Sequence, residues 1–119
     1  MKNRCCLLLI LLLCLSACKQ NLPPDIWEKE KMIEFFVDAQ LLEAKISTQD
    51  LSKTQNDSLY ARYYEELFTY YNTTPEIWKK NIDYYCSKPG EMDEIHKEIV
   101  ARLTLIESTE LNKPNKLHE

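Results

Sequence analysis

The chain is expected to fold as an all-α protein, a small four-helix domain with short loops, and three features predict it. Apolar residues recur at three-to-four spacing through four successive segments, the period of a helix that buries one face. No stretch alternates apolar and polar residues as a half-buried strand does. The 119 residues include one glycine, Gly90, so long helical runs go unbroken, and loops of about two to ten residues between them favour a compact bundle.

In chain order, Lys2 and Arg4 precede an 11-residue apolar run from Cys5 to Leu15, and Leu15-Ser16-Ala17-Cys18 follows. A basic start, a short apolar core and small residues before the cleavage point make a secretory signal, and the run falls short of the roughly 20 residues of a membrane-spanning helix. A cysteine directly after such a site is the pattern of a bacterial lipobox. Residues 1–17 are therefore expected to be a lipoprotein signal peptide and Cys18 the acylated first residue of the mature chain. Residues 18–25 read as the lipidated cysteine and a tether, stiffened by Pro23-Pro24.

The helical domain is expected over 26–110. Its first helix runs from Trp27 to Ile46, with Ile33, Phe36, Val37, Leu41 and Ala44 as its stripe and Met32, Ala39, Leu42 and Ile46 widening it. Asp38 and Glu43 interrupt that stripe and read as solvated flank positions. Ser47 to Asn56 reads as a loop, with Asn56 or Asp57 as cap of a second helix over Ser58–Tyr71. That helix carries two aromatic stripes, Leu59-Tyr63-Leu67-Tyr70 and Tyr60-Tyr64-Phe68-Tyr71. Thr74, Pro75 and Glu76 start a third helix, which bears Trp78, Ile82 and Tyr85 and ends near Cys86. Joined only by Asn72 to Thr74, the second and third helices are expected to pair as a hairpin. Pro89 opens the fourth, whose stripe is Met92, Ile95, Ile99, Leu103 and Ile106, and 111–119 read as a flexible tail.

Cleavage before Cys18 leaves 13 basic and 19 acidic residues, a net charge of −6. Such a surface is repelled by anionic lipid, so acyl chains must hold it there, and it lacks the basic stripe that nucleic acid requires. Cys86 is the remaining thiol and reads as buried at a helix end, with an intermolecular disulfide as the alternative in an oxidising compartment. No enzyme is expected. Asp93-x-x-His96 is a single loose metal pair where a di-metal bundle needs two, no Ser or Cys comes with a recognisable base, and Glu65-Glu66 and Asp93-Glu94 diverge on their helices. Neither a metal nor a cofactor is expected.

The seven tyrosines, all between residues 60 and 85, are the feature with functional promise. Tyr and Trp give large contact area with a polar handle, and one short helix cannot bury two aromatic stripes. Tyr60, Tyr64, Tyr71, Trp78 and Tyr84 are the candidate partner-binding residues, some of which must belong to the core.

The order of several pieces resembles Bacteroidota lipoproteins grouped as domain of unknown function 4296. These are the lipobox, Pro23-Pro24-Asp25-Ile26-Trp27, Glu30 to Ile33, Val37-Asp38, Leu42-Glu43-Ala44, Asp57 to Tyr60, Tyr63-Tyr64, Thr74-Pro75-Glu76, Tyr84-Tyr85 and Lys88 to Glu91. Similar chains often have Phe and Ser where this one has Trp78 and Cys86. The resemblance implies a lineage and an address but carries no activity. In that lineage Asp57-Ser58-Leu59 fits an O-glycosylation pattern, with Ser58 as acceptor at a loop-to-helix junction. Lys19 is not an inner-membrane retention signal, and Gln20 to Pro24 lack an acidic surface-export cluster, so the expected place is the outer membrane facing the periplasm. The leading expectation is a non-catalytic binding or accessory subunit with an envelope protein as partner. A chaperone-like binder of unfolded envelope clients and a glycan or small-ligand receptor are the alternatives.

Overall fold

The computed structural model describes residues 21–49 and 52–112; the signal peptide, Cys18 and residues 113–119 lie outside them. The described residues form four helices and no strand: α1 Lys29–Ser47, α2 Lys53–Tyr70, α3 Pro75–Cys86 and α4 Glu91–Leu111. The fold is the all-α four-helix domain that the periodicity predicts. Helix α1 is central, packed on α2 and on α4, while α3 packs on α4.

The core explains that centrality. Met32, Ile33, Phe35, Val37 and Ala39 of α1 are all buried, a spread too wide for one apolar stripe. Ile95 and Ile99 of α4 cover one side; Phe68 of α2 and Tyr71 just past its end cover another. The stripe reading therefore errs in detail. Phe35, outside it, is almost wholly buried, whereas Leu41 and Ala44 within it are exposed, because past Ala39 cover is lost on the side that Ile33 and Val37 share, while Ile46, in line with Met32 and Ala39, stays buried.

The first helix begins two residues later than its pattern suggests, and the reason is chemical. Asn81 and Tyr85 of α3 hold the Trp27 backbone. Asn81 Oδ1 accepts from the Trp27 amide at 2.6 Å, and the Tyr85 hydroxyl donates to the Trp27 carbonyl. Those groups are thus unavailable to a helix. The segment before it is fastened too. Asn81 Nδ2 donates to the Asp25 carbonyl at 2.8 Å, and Lys80 reaches the Pro24 carbonyl and the Asp25 carboxylate, each at 3.1 Å. Asp25 sits at φ +65° and Ile26 closes a turn onto Pro23. Residues 23–28 form a strap across α3.

Helix α2 starts at Lys53, earlier than Asn56 or Asp57 suggests. Ser52 caps it in a capping box whose Gln55 side chain accepts from the Ser52 amide at 3.1 Å. It ends at Asn72, φ +48°, where the Thr73 amide reaches back to the Phe68 carbonyl at 2.9 Å, a left-handed cap that asparagine tolerates. Thr74 accepts from the Ile77 amide with Pro75 at the first helical position, as expected. The expected α2–α3 hairpin does not form as a packed pair: α2 spends its aromatic face on α1, and α3 turns to α4. At the start of α4 Pro89 lies outside the helix, and Gly90 at φ +79° caps it.

Candidate functional site

A groove of about 600 Å³ runs between the second half of α1 and α2. Phe35, Phe36 and Ala39 form its floor, Tyr60 and Tyr64 its α2 wall, and Trp78 of α3 closes one end. Trp78 is fixed by ring contacts at 4.1 Å to Phe35 and 4.9 Å to Phe36. Along the α1 wall, Gln40, Glu43, Ala44 and Ser47 follow one another turn by turn. The groove thus combines half-buried aromatic faces with an amide, a carboxylate and a hydroxyl.

Three of the five aromatic candidates meet there: Tyr60, Tyr64 and Trp78. Tyr71 does not. It is buried, its ring 6.2 Å from Trp27 in a stacked pair and 5.0 Å from Phe35, and its hydroxyl donates to Asp38 at 2.6 Å. Lys31 lies 4.3 Å over the Trp27 ring and donates to the Tyr71 carbonyl at 3.3 Å, completing a structural cluster. Tyr84 stands apart on α3, half-buried, its ring 4.2 Å from the Lys88 ammonium and edge-on to Tyr85 at 5.1 Å. Tyr70, by contrast, is 80% exposed.

Asp38 and Glu43 are not merely solvated flanks: each accepts a tyrosine hydroxyl from the α2 side, Glu43 from Tyr64. Burial, and then the bond to its carboxylate, raises the phenol of Tyr64 above the ordinary tyrosine range, and the same causes act on Tyr71. Both hydroxyls stay protonated donors at neutral pH. Burial alone leads the upward shift of Tyr85.

Cys86 is exposed at the last position of α3 and not buried: Tyr85 beside it takes the core-facing side of the helix end, which leaves the thiol on the outer side. His96 is exposed, its ring 6.1 Å from Phe36. Among the described residues no group of three or more His, Cys, Asp or Glu could hold a metal ion. Ser58 is also exposed, but it lies six residues beyond the Ser52 cap, within α2 and not at a junction. It borders a shallow hollow with Gln49, Gln55 and Arg62. Cys18 falls outside the described residues, among which no helix is long and apolar enough to cross a membrane.

Sequence reasoning missed Asn81, Gln40 and Ser47. Gln40, Glu43 and Ser47 sit at i, i+3 and i+7, a polar row along one helix face that a search for polar periodicity beside the apolar stripe finds. Asn81 carries no comparable signal.

The family model described as Domain of unknown function (DUF4296) matches residues 23–109. No curated protein and no solved structure matches the chain. The matched span begins at the strap and ends within α4, taking in every element described above, and the chain belongs to this family.

Proposed function

We propose that this member of the DUF4296 family is a non-catalytic binding or accessory protein of the bacterial cell envelope, anchored through acylated Cys18 in the outer membrane and facing the periplasm. The groove between α1 and α2 carries this reading. Its 600 Å³ falls in the range of sites that hold ligands, and its tyrosine and tryptophan walls are of the kind that dominates recognition energy. An extended segment of another envelope protein fits it: apolar side chains would pack on Tyr60, Tyr64 and Trp78 while Gln40 and Ser47 meet backbone groups. The chemistry is that of binding, since the groove's one carboxylate, Glu43, is taken up by Tyr64.

A photo-crosslinking residue placed at Tyr60 of the anchored protein in living cells tests this, with the same residue at exposed Lys97 on α4 as control. One dominant envelope protein captured at Tyr60, and not at Lys97, is the expected result. Identical products from the two sites refute a groove-mediated role. A broad set of outer-membrane proteins at Tyr60 favours a chaperone-like binder instead.

The row of amide, carboxylate and hydroxyl facing aromatic rings favours a second reading, a glycan receptor, because sugars stack on such rings while their hydroxyls bond to such groups. A saturable thermal shift with one member of an envelope-glycan panel, abolished by Gln40→Ala, supports it; no shift across the panel removes it.

A further inference from the structure

We infer that the strap over residues 23–28 fixes which end of the domain faces the lipid bilayer. The Trp27–Tyr71 end is the membrane-proximal surface, and the end where α1 stops at Ser47 and α2 starts at Lys53, with the outer half of the groove, points away. The inference rests on the proposed acylation of Cys18.

The strap is part of the folded domain. Asn81, wholly buried, uses its amide group for the Trp27 amide and the Asp25 carbonyl. Tyr85, also buried, donates to the Trp27 carbonyl, and Lys80 holds Pro24 and Asp25 from outside. The free part of the tether is therefore short. Four residues separate Cys18 from Pro23, five Cα-to-Cα steps with a reach of at most about 18 Å fully extended.

That reach is small beside the domain. Helix α1 leaves the strap and runs 19 residues to Ser47, and α2 returns over 18 to the ring of Tyr71 against Trp27. At 1.5 Å per residue each helix is about 27 Å long, so the anchor is attached at one end of an elongated antiparallel pair. Charge selects the pose. A mature chain of net charge −6 is repelled by anionic headgroups, so the domain stands away from the surface as far as its short tether allows. The membrane contact is then confined to the strap and the adjoining face of α3, where Lys80 lies.

Full-length lipoprotein carrying Cys86→Ser and one added cysteine, Lys79→Cys at the strap end or Lys53→Cys at the far end, provides the test. Each protein is labelled with a fluorophore and reconstituted into phosphatidylethanolamine–phosphatidylglycerol vesicles containing a headgroup-linked quencher. Quenching at residue 79 is expected to exceed that at residue 53 at least about twofold, given the helix length between the two ends. A flexible Gly/Ser insertion of about 15 residues after Asn21 lengthens the tether without touching the strap and should bring the ratio toward one. Equal or reversed quenching in acylated, vesicle-bound protein overturns the orientation alone, as does a ratio indifferent to the insertion. Intact-mass spectra without acyl chains overturn the anchoring, and the orientation with it.

Discussion

Replacing Asn81 with alanine should unfasten the strap, and the structure fixes how much that costs. Three hydrogen bonds disappear: from the Trp27 amide at 2.6 Å, and to the carbonyls of Asp25 and Ile77, each at 2.8 Å. They are not equivalent. The Ile77 carbonyl keeps its helical amide partner, and Asp25 is exposed, so its carbonyl can turn to water. The Trp27 amide has neither recourse, because Trp27 is buried. An orphaned buried donor costs about 1–3 kcal/mol, and with the void left by the side chain the total is about 2–4 kcal/mol. For a domain of this size each kcal/mol moves the melting point by roughly 4–8 °C, so Asn81→Ala should melt about 10–25 °C below wild type. Circular dichroism at 222 nm, with near-ultraviolet signals reporting the tryptophans, reads this directly. Lys79→Ala, which loses only the surface pair with Asp83, should stay within about 0.5 kcal/mol. Asn81→Asp adds a sign. It keeps an acceptor for Trp27 but sets a carboxylate against two carbonyls in a buried site. Its folded-state pKa then lies above the ordinary carboxylate range, so its deficit is complete only above that raised value and shrinks as pH falls from it to the ordinary carboxylate range. An Asn81→Ala protein as stable as Lys79→Ala would refute the clasp.

Alkaline titration followed by phenolate absorbance should show Tyr64, Tyr71 and Tyr85 ionising late, since each is raised from its ordinary value of 10.0. The stability these phenols contribute is complete below that value and is lost as pH rises through the folded-state values; Tyr64→Phe should remove one lagging group, and a single uniform titration contradicts the burial. Gly90→Ala should cost about 1–2 kcal/mol from its left-handed backbone alone, since a methyl group there meets nothing within 4 Å; a neutral effect in urea unfolding argues against φ +79° at the α4 cap. Hydrogen exchange should open α2, which has no buried residue, before α1, which has six; simultaneous exchange would mean that the two form one cooperative unit.

Helix number, order and several boundaries were legible in the chain because they depend on local chemistry. Thr74-Pro75-Glu76 starts α3 wherever it is placed, and the run from Met92 to Ile106 is helical by period alone. Two boundaries were written in the sequence but outvoted. Ser52-Lys53-Thr54-Gln55 is a capping box, yet Asn56-Asp57 offered a competing cap four or five residues on; Pro89 drew attention from Gly90. Exposure was less legible, because it depends on which helix lies across the way. Tyr71 and Tyr64 share a stripe, but Trp27 stacks on the first and leaves the second to the groove. Asn81 was illegible outright. A polar residue between Lys80 and Ile82 looks solvated until the fold brings in a backbone segment from 54 residues earlier.

The two carboxylates inside the apolar face of α1 have a common explanation. Contact between the rings of Phe35 and Phe68, 5.6 Å apart, is non-directional, and α1 sliding past α2 by a turn could recover much of the buried area. The pairs Tyr71–Asp38 and Tyr64–Glu43 could not be recovered that way. They lie two turns apart along α2, and a slide would strip both hydroxyls of their acceptors together, at about 1–3 kcal/mol for the partly buried bond of Tyr71 and less for the exposed one of Tyr64. The polar interruptions of the stripe thus set the register of the antiparallel pair. Register in turn sets the groove, since it decides which turn of α1 faces Tyr60 and Tyr64. Tyr64 serves both purposes, so its loss alters binding and packing at once. Tyr60 lines the same wall without holding the register, and is the residue whose replacement separates recognition from fold.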